Sequence, residues 1–334
     1  MNHEACTTTV PQARHALGRA VFIALTCLVV ATPILAQSSD EGAPFLLLPV
    51  GASAVSMGRA VTALSSEESA FWNPAGLARL AHSRVLVMRG DVAAGQETAL
   101  STLLVRPGIG TLAISYRLRD DGDQEYTDPN DNLLGKVTFR DHVVVFSAAA
   151  SAGRRIDIGA SFKVIQSRRS CRGSCGDVGS LSTGYAVDIG TQWAPLDHVP
   201  LRIGAMLAHL GPRFQLENAS QADALPTRLR VSVAYDVLGA ITRSDVQGWV
   251  AMEVEDRPGY RGGTNLYVGT ELAAGDDQAV FLRMGYASDA ALPGGARVGV
   301  GLQLNSYRLA VAKSLSRSSL DISDPLSVSL SIAW

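Results

Sequence analysis

Two adjacent acid–histidine pairs, Asp141-His142 and Asp197-His198, and two cysteines, Cys171 and Cys175, are the side chains in this 334-residue sequence whose types could do chemistry. An imidazole beside a carboxylate works as a general base only with a nucleophile or water within hydrogen-bond reach. No recognisable motif places a serine or cysteine beside either pair. Both read as exposed polar residues at a strand start and in a turn, and no enzymatic activity is expected. The run C-R-G-S-C fits a small loop disulfide in an oxidising compartment. With no second cysteine pair and no neighbouring histidine it does not make a zinc site, and no metal is expected. The glycine-rich run from Gly294 to Gly301 lies in an alternating strand. A phosphate loop needs a strand-to-helix turn, so no cofactor is expected. The net charge of −2 gives no electrostatic case for nucleic acid.

More telling are charges that recur at every second position of otherwise apolar runs. Arg117, Asp157, Lys163, Asp188, Arg228, Arg230, Asp236, Glu253, Glu271, Arg283 and Arg297 all sit this way, as do Arg119, Arg202, Glu255 and Arg308. In Arg155–Gln166, for example, Ile156, Ile158, Ala160, Phe162 and Val164 oppose Asp157, Gly159, Ser161 and Lys163. Successive strand side chains point to opposite faces, so one face is apolar and the other polar. Such charges are costly against lipid and tolerable in a polar interior. Both signs occur, which predicts a salt-bridged, hydrated lining rather than an ion filter.

Period-2 runs occupy 83–90, 97–106, 109–119, 137–151, 154–167, 181–194, 199–210, 226–237, 245–255, 264–274, 278–288, 295–305, 307–314 and 325–334. That is fourteen strands, an even number, many near the length that crosses a bilayer at a tilt. The connections alternate by parity. One set is short, as at Pro107-Gly108 and Ala152-Gly153; the other is mostly longer, as at 120–136, 168–180 and 211–225. Short periplasmic turns alternating with longer external loops are the mark of an outer-membrane barrel.

The organisation expected is a secretory signal peptide over 1–36, an N-terminal plug over 37–82, and a transmembrane β-barrel over 83–334. Arg14, His15 and Arg19 supply a basic start, Ala20–Ala31 the apolar run, and Ile34-Leu35-Ala36 a small-residue cleavage site. Cys6 and Cys27 go with that segment. The last run, L-S-V-S-L-S-I-A-W, ends on Trp334, read as the signal presented to the barrel-assembly machinery and as a member of the aromatic girdle. The fold class is therefore all-β: a 14-stranded antiparallel transmembrane β-barrel with a small N-terminal lumenal plug. It is expected in outer-membrane lipid, with both termini periplasmic. The plug does not alternate; Ser65 or Ser66 is placed to cap a turn carrying Glu67 and Glu68, and Asn73-Pro74 reads as a turn or helix stop.

Gly51-Ala52, Met57-Gly58, Ala60, Glu67-Glu68 and Trp72-Asn73-Pro74-Ala75-Gly76-Leu77 resemble the N-terminal signature of the PorV/PorQ family of outer-membrane proteins. Asn265–Glu271, Phe281–Tyr286 and Arg297–Leu302 are similar to that family's closing hairpins; the strand at Tyr307–Val311 departs from its acidic-aromatic pattern. The resemblance implies a plugged fourteen-stranded barrel related in fold to FadL-type transporters. PorV-type members bind cargo proteins for the type IX secretion system, and that role, without catalysis, is the function expected. The alternative is FadL-like import of a hydrophobic small molecule. A sealed polar interior would count against import, and an apolar cavity with a way through the wall would favour it.

Overall fold

A computed structural model describes residues 41–92, 95–175, 179–215, 222–241, 246–258, 263–288, 294–315 and 325–334. The expected signal peptide, with Cys6 and Cys27, and the first residues of the plug lie outside the described residues. Fourteen strands follow one another: β1 (Arg84–Val92), β2 (Gly95–Arg106), β3 (Gly110–Thr127), β4 (Leu133–Ala152), β5 (Ile156–Gly173), β6 (Ser180–Trp193), β7 (Leu201–Leu210), β8 (Arg228–Asp236), β9 (Val246–Asp256), β10 (Asn265–Ala274), β11 (Gln278–Ser288), β12 (Gly295–Leu304), β13 (Tyr307–Ser314) and β14 (Leu326–Ala333). Each pairs antiparallel with its sequence neighbours, and β14 returns to β1 to close the barrel, with Arg84 opposite Ala333 and Gly90 opposite Ser327. Closure leaves no unpaired edge, which hydrocarbon would penalise.

The alternation sorts the faces. On β14, Ser327, Ser329 and Ser331 are buried inward while Leu326, Leu330 and Ile332 are exposed outward. Outward positions elsewhere carry Leu100, Ile114, Phe146, Phe162, Tyr185 and Trp193, all exposed. That is a surface made for lipid rather than water.

Three strands run further than their apolar pattern. β3, β4 and β5 continue to Thr127, back to Leu133 and on to Gly173, so most of the two expected loops at 120–136 and 168–180 is paired sheet. Those extensions read D-D-G-D-Q-E-Y-T and R-R-S-C-R-G. Beyond the apolar belt neither face of a strand needs to be apolar, so the alternation fades while the backbone pairing persists. Cys171 and Cys175 are joined by a disulfide at the far end of β5.

Residues 41–82 fill the lumen. They form one short helix, α1 (Ala52–Ser56), and three 3-10 turns, Pro44–Leu47, Glu67–Ala70 and Pro74–Arg79. Ser66 caps the second turn by accepting the Glu68 amide, and Ser69 accepts from the Ser66 amide in return. Asn73 caps the third by accepting the Ala75 amide, with Pro74 at its first position, where no amide hydrogen is needed. A lumen this wide is more than its own side chains would fill.

Candidate functional site

The site is the plugged lumen, and it has three layers. At the centre, Trp72 is 4% exposed and donates its indole N–H to the Val50 carbonyl at 2.8 Å. The guanidinium groups of Arg59 and Arg230 stand 5.7 and 5.1 Å from its ring centre. Arg59 also lies 4.8 Å from the Tyr267 ring and donates to the Leu47 carbonyl at 3.1 Å. Asn73 is fully buried and donates to the Thr62 carbonyl at 2.7 Å and to the β6 backbone at Thr191 at 3.2 Å. Trp72 and Asn73 thus knit the plug to itself and to the wall.

Met57-Gly58 lies flat against paired glycines of the wall, Gly269 and Gly285. A Cβ on Gly285 would stand 2.1 Å from the Gly58 amide nitrogen, and one on Gly58, at φ +61°, would stand 2.6 Å from the Tyr286 nitrogen. Only glycine allows this approach of backbone to backbone. Gly51, at φ +90°, faces the Glu68 carboxylate. That carboxylate accepts from the Ser53 and Ala54 amides at 3.1 and 2.8 Å, and from Ser329 of the closing strand at 2.9 Å. Burial pushes the Glu68 carboxyl up. Burial pushes Glu67 up as well, but Arg308 and Arg84 outweigh it and hold Glu67 below its ordinary value. Arg308 reaches Glu67 at 2.8 Å. Gly76 packs under Ser69.

Around the centre runs a belt of buried, paired charge. Arg230 meets Glu255 at 2.6 Å, Lys163 meets Asp188 at 2.5 Å, and Arg283 meets the half-buried Glu271 at 2.5 Å, while at the edge of the belt the exposed Arg79 of the plug meets the buried Asp157 at 2.6 Å. Glu253 accepts both the amide and the hydroxyl of Thr62 at 2.9 Å. Arg228 forks onto Glu41 at 2.8 and 2.9 Å. Asp236 accepts the Gly239 and Gly248 amides at the rim, and Arg297 is buried inward on β12. His209, in a register shift between β6 and β7 and at φ +59°, turns inward so that its amide donates to Asp188 at 2.8 Å. Each buried charge needs such a partner, because an uncompensated one costs several kcal/mol.

The third layer is apolar. Val143 and Val145 of β4, Ile165 of β5 and Ala186 of β6 face inward and are buried, breaking the polar rule of the lining. Ala43, Phe45 and Leu46 of the plug cover them, together with Phe214 and Leu225 of the β7–β8 connection. Arg117 fixes this cover. It forks onto Glu97 at 2.6 and 2.7 Å and donates to the Phe45 and Leu48 carbonyls at 2.9 and 3.1 Å. On the long-loop side of the cover lies a cavity of about 550 Å³, bounded by Glu41, Phe45, Arg119, Asp141, Arg169 and Asp223.

Sequence reading missed Arg59, Glu97, His209 and the apolar patch. The reading of Asp141-His142 as an exposed pair needs correction. Asp141 is buried inward and accepts from Ser167 at 2.6 Å, while His142 faces outward and meets the Tyr116 hydroxyl at 2.7 Å. Neighbours on a strand point to opposite faces, so the two cannot act together. Asp197 is exposed and pairs with Arg155 in a short turn.

No protein-family model and no curated protein matches the sequence. Solved structures do. The Ralstonia pickettii toluene transporter TbuX matches with a TM-score of 0.56 at 13% identity, over 85% of this chain and 97% of that one. The Pseudomonas putida toluene transporter TodX matches with a TM-score of 0.56 at 11% identity, over 90% and 99%. A Pseudomonas aeruginosa FadL homologue matches with a TM-score of 0.51 at 10% identity, over 86% and 98%. At such identities the likeness is one of fold alone, the closed fourteen-stranded antiparallel barrel described above.

Proposed function

We propose that this protein passes hydrophobic small molecules across the bacterial outer membrane, with no catalytic step. The observation that carries this is the inward apolar patch of Val143, Val145, Ile165 and Ala186, whose cover of Ala43, Phe45 and Phe214 borders the cavity on the long-loop side. The patch is covered by the Pro44–Leu47 turn and lies beneath the cavity on the long-loop side. A hydrophobic molecule arriving through that cavity replaces Phe45 and Leu46 on the patch at little cost in buried area. The fold-level likeness to two toluene transporters supports the same class of cargo. The test is accumulation of radiolabelled toluene and of a long-chain fatty acid by cells carrying the protein, against cells with the Val145→Glu variant. Faster uptake of either, lost in the variant, is expected; equal uptake in both would sink the reading.

A second reading, cargo binding for a type IX-like secretion system, is favoured by the close packing of Trp72-Asn73-Pro74 against the wall, which suits a lumen that stays shut. It requires type IX translocon genes in the same genome and capture of a secreted protein's C-terminal domain. Absence of either ends it.

A further inference from the structure

The outer wall carries a depression of about 810 Å³ near its short-turn rim. Along most strands the outward positions hold large side chains, but here β4, β5 and β7 present Ala148, Ala150, Ala160 and Ala205. Leu112, Ile158 and Ile189, 57%, 50% and 54% exposed, stand beside them as walls. In register, Ala148 faces both Leu112 and Ala160, and Ala160 faces Ile189. The floor therefore runs across five strands, β3 to β7, about 19 Å at a strand spacing of roughly 4.8 Å.

The groove does not pierce the wall. Behind its middle Gly159 lies against Pro74 and Ala75, and Gly190 against Asn73, so the plug backs it at β5 and β6. One end is at Arg106, the last residue of β2, beside the Pro107-Gly108 turn. The other end reaches Leu207 and Leu229, which pair across β7 and β8 well away from that rim. Arg106 is exposed on the outward face and has no ion-pair partner among the described residues. A cation at the edge of an apolar belt sits where lipid phosphates lie.

We propose that this groove holds one phospholipid of the leaflet on the short-turn side, with its phosphate on Arg106 and one acyl chain along the alanine floor. Charge selects the headgroup and the recess selects a chain, because a chain in a groove loses more water- or lipid-exposed surface than one on a flat wall. The site is independent of whether the lumen conducts, since the plug separates the two.

The experiment uses the full-length protein in nanodiscs of phosphatidylethanolamine and phosphatidylglycerol, extracted in mild detergent and weighed by native mass spectrometry. Wild type retains one phospholipid. Arg106→Gln retains about tenfold less, consistent with loss of one charge-assisted contact, and Arg106→Lys retains nearly as much as wild type. Ala148→Phe with Ala160→Phe, which fills the floor with residues common elsewhere on that face, retains none. Heat-modified mobility on gels confirms that each variant is folded, and the arginine variants decide the matter if the filled one is not. Equal retention in all forms overturns the proposal, as does a mass shift showing a second copy of the chain or a free hydrocarbon in place of the lipid.

Discussion

Arg117 is the residue on which the cover of the apolar patch depends most. Replacing it with methionine keeps the length of the side chain and removes the donors. The Phe45 and Leu48 carbonyls then lose bonds of 2.9 and 3.1 Å to a cation. Hydrogen bonds to charged groups are worth about 1.5–3 kcal/mol each, so the turn is loosened by roughly 3–6 kcal/mol, or about 10²–10⁴-fold in the population of the uncovered patch. The single variant also leaves Glu97, 3% exposed, without its partner, a separate penalty of about 3–5 kcal/mol. Adding Glu97→Gln removes that penalty and isolates the effect on the cover. The assay is hydrogen exchange of the 41–50 segment in micelles, with binding of a lipophilic fluorophore measured on the same sample. The double variant should exchange the Leu46 and Leu48 amides at least a hundredfold faster and bind the fluorophore more tightly. Wild-type exchange and binding in the double variant would refute the idea that Arg117 holds the cover.

Two further perturbations address the rest of the plug. Gly285→Leu places a side chain where a Cβ already stands 2.1 Å from the Gly58 nitrogen, so the Met57-Gly58 segment must lift; single-channel conductance should rise from closed to measurable while the barrel keeps its heat-modified mobility. Glu67 is held below its ordinary value of 4.5 by Arg308 and Arg84. Its contribution is therefore present above pH 4.5 and lost as pH falls through the lowered value. Melting of the plug, followed by tryptophan fluorescence, should show an acid-sensitive limb below pH 4.5 that Glu67→Gln flattens.

Strand number and facing were legible because a barrel wall in lipid must be apolar on one side and hydrated on the other. Asp157, Lys163 and Asp188 alternate with isoleucine and phenylalanine for that reason, and all three are buried inward. Where the membrane ends the rule ends, and the outer ends of β3, β4 and β5 read as loops although they pair. The lumen was harder to read. Val143 and Val145 sit beside the outward Val144 and Phe146, and an unbroken apolar run does not say which residues face in. Arg59 gives no periodic signal at all; a single cation in a run of alanine, valine and methionine is the only hint, and it becomes meaningful once Trp72 and Tyr267 are seen on either side of it. Glu97 lies near the start of β2, and its pairing with Arg117 emerges only from the register that sets Glu97 opposite Arg119 and Ala99 opposite Arg117.

The central claim is that hydrophobic molecules pass only when the N-terminal segment leaves the patch, and a reversible tether tests it most directly. A Cβ on Gly42 would stand 3.4 Å from the Cβ of Asp223, close to the separation a disulfide spans. In cells carrying Gly42→Cys with Asp223→Cys, uptake of labelled hydrocarbon should fall to background under oxidation and recover with reductant, while wild type responds to neither. Equal uptake by the oxidised and reduced forms, with the cross-link confirmed by mass, would contradict the account.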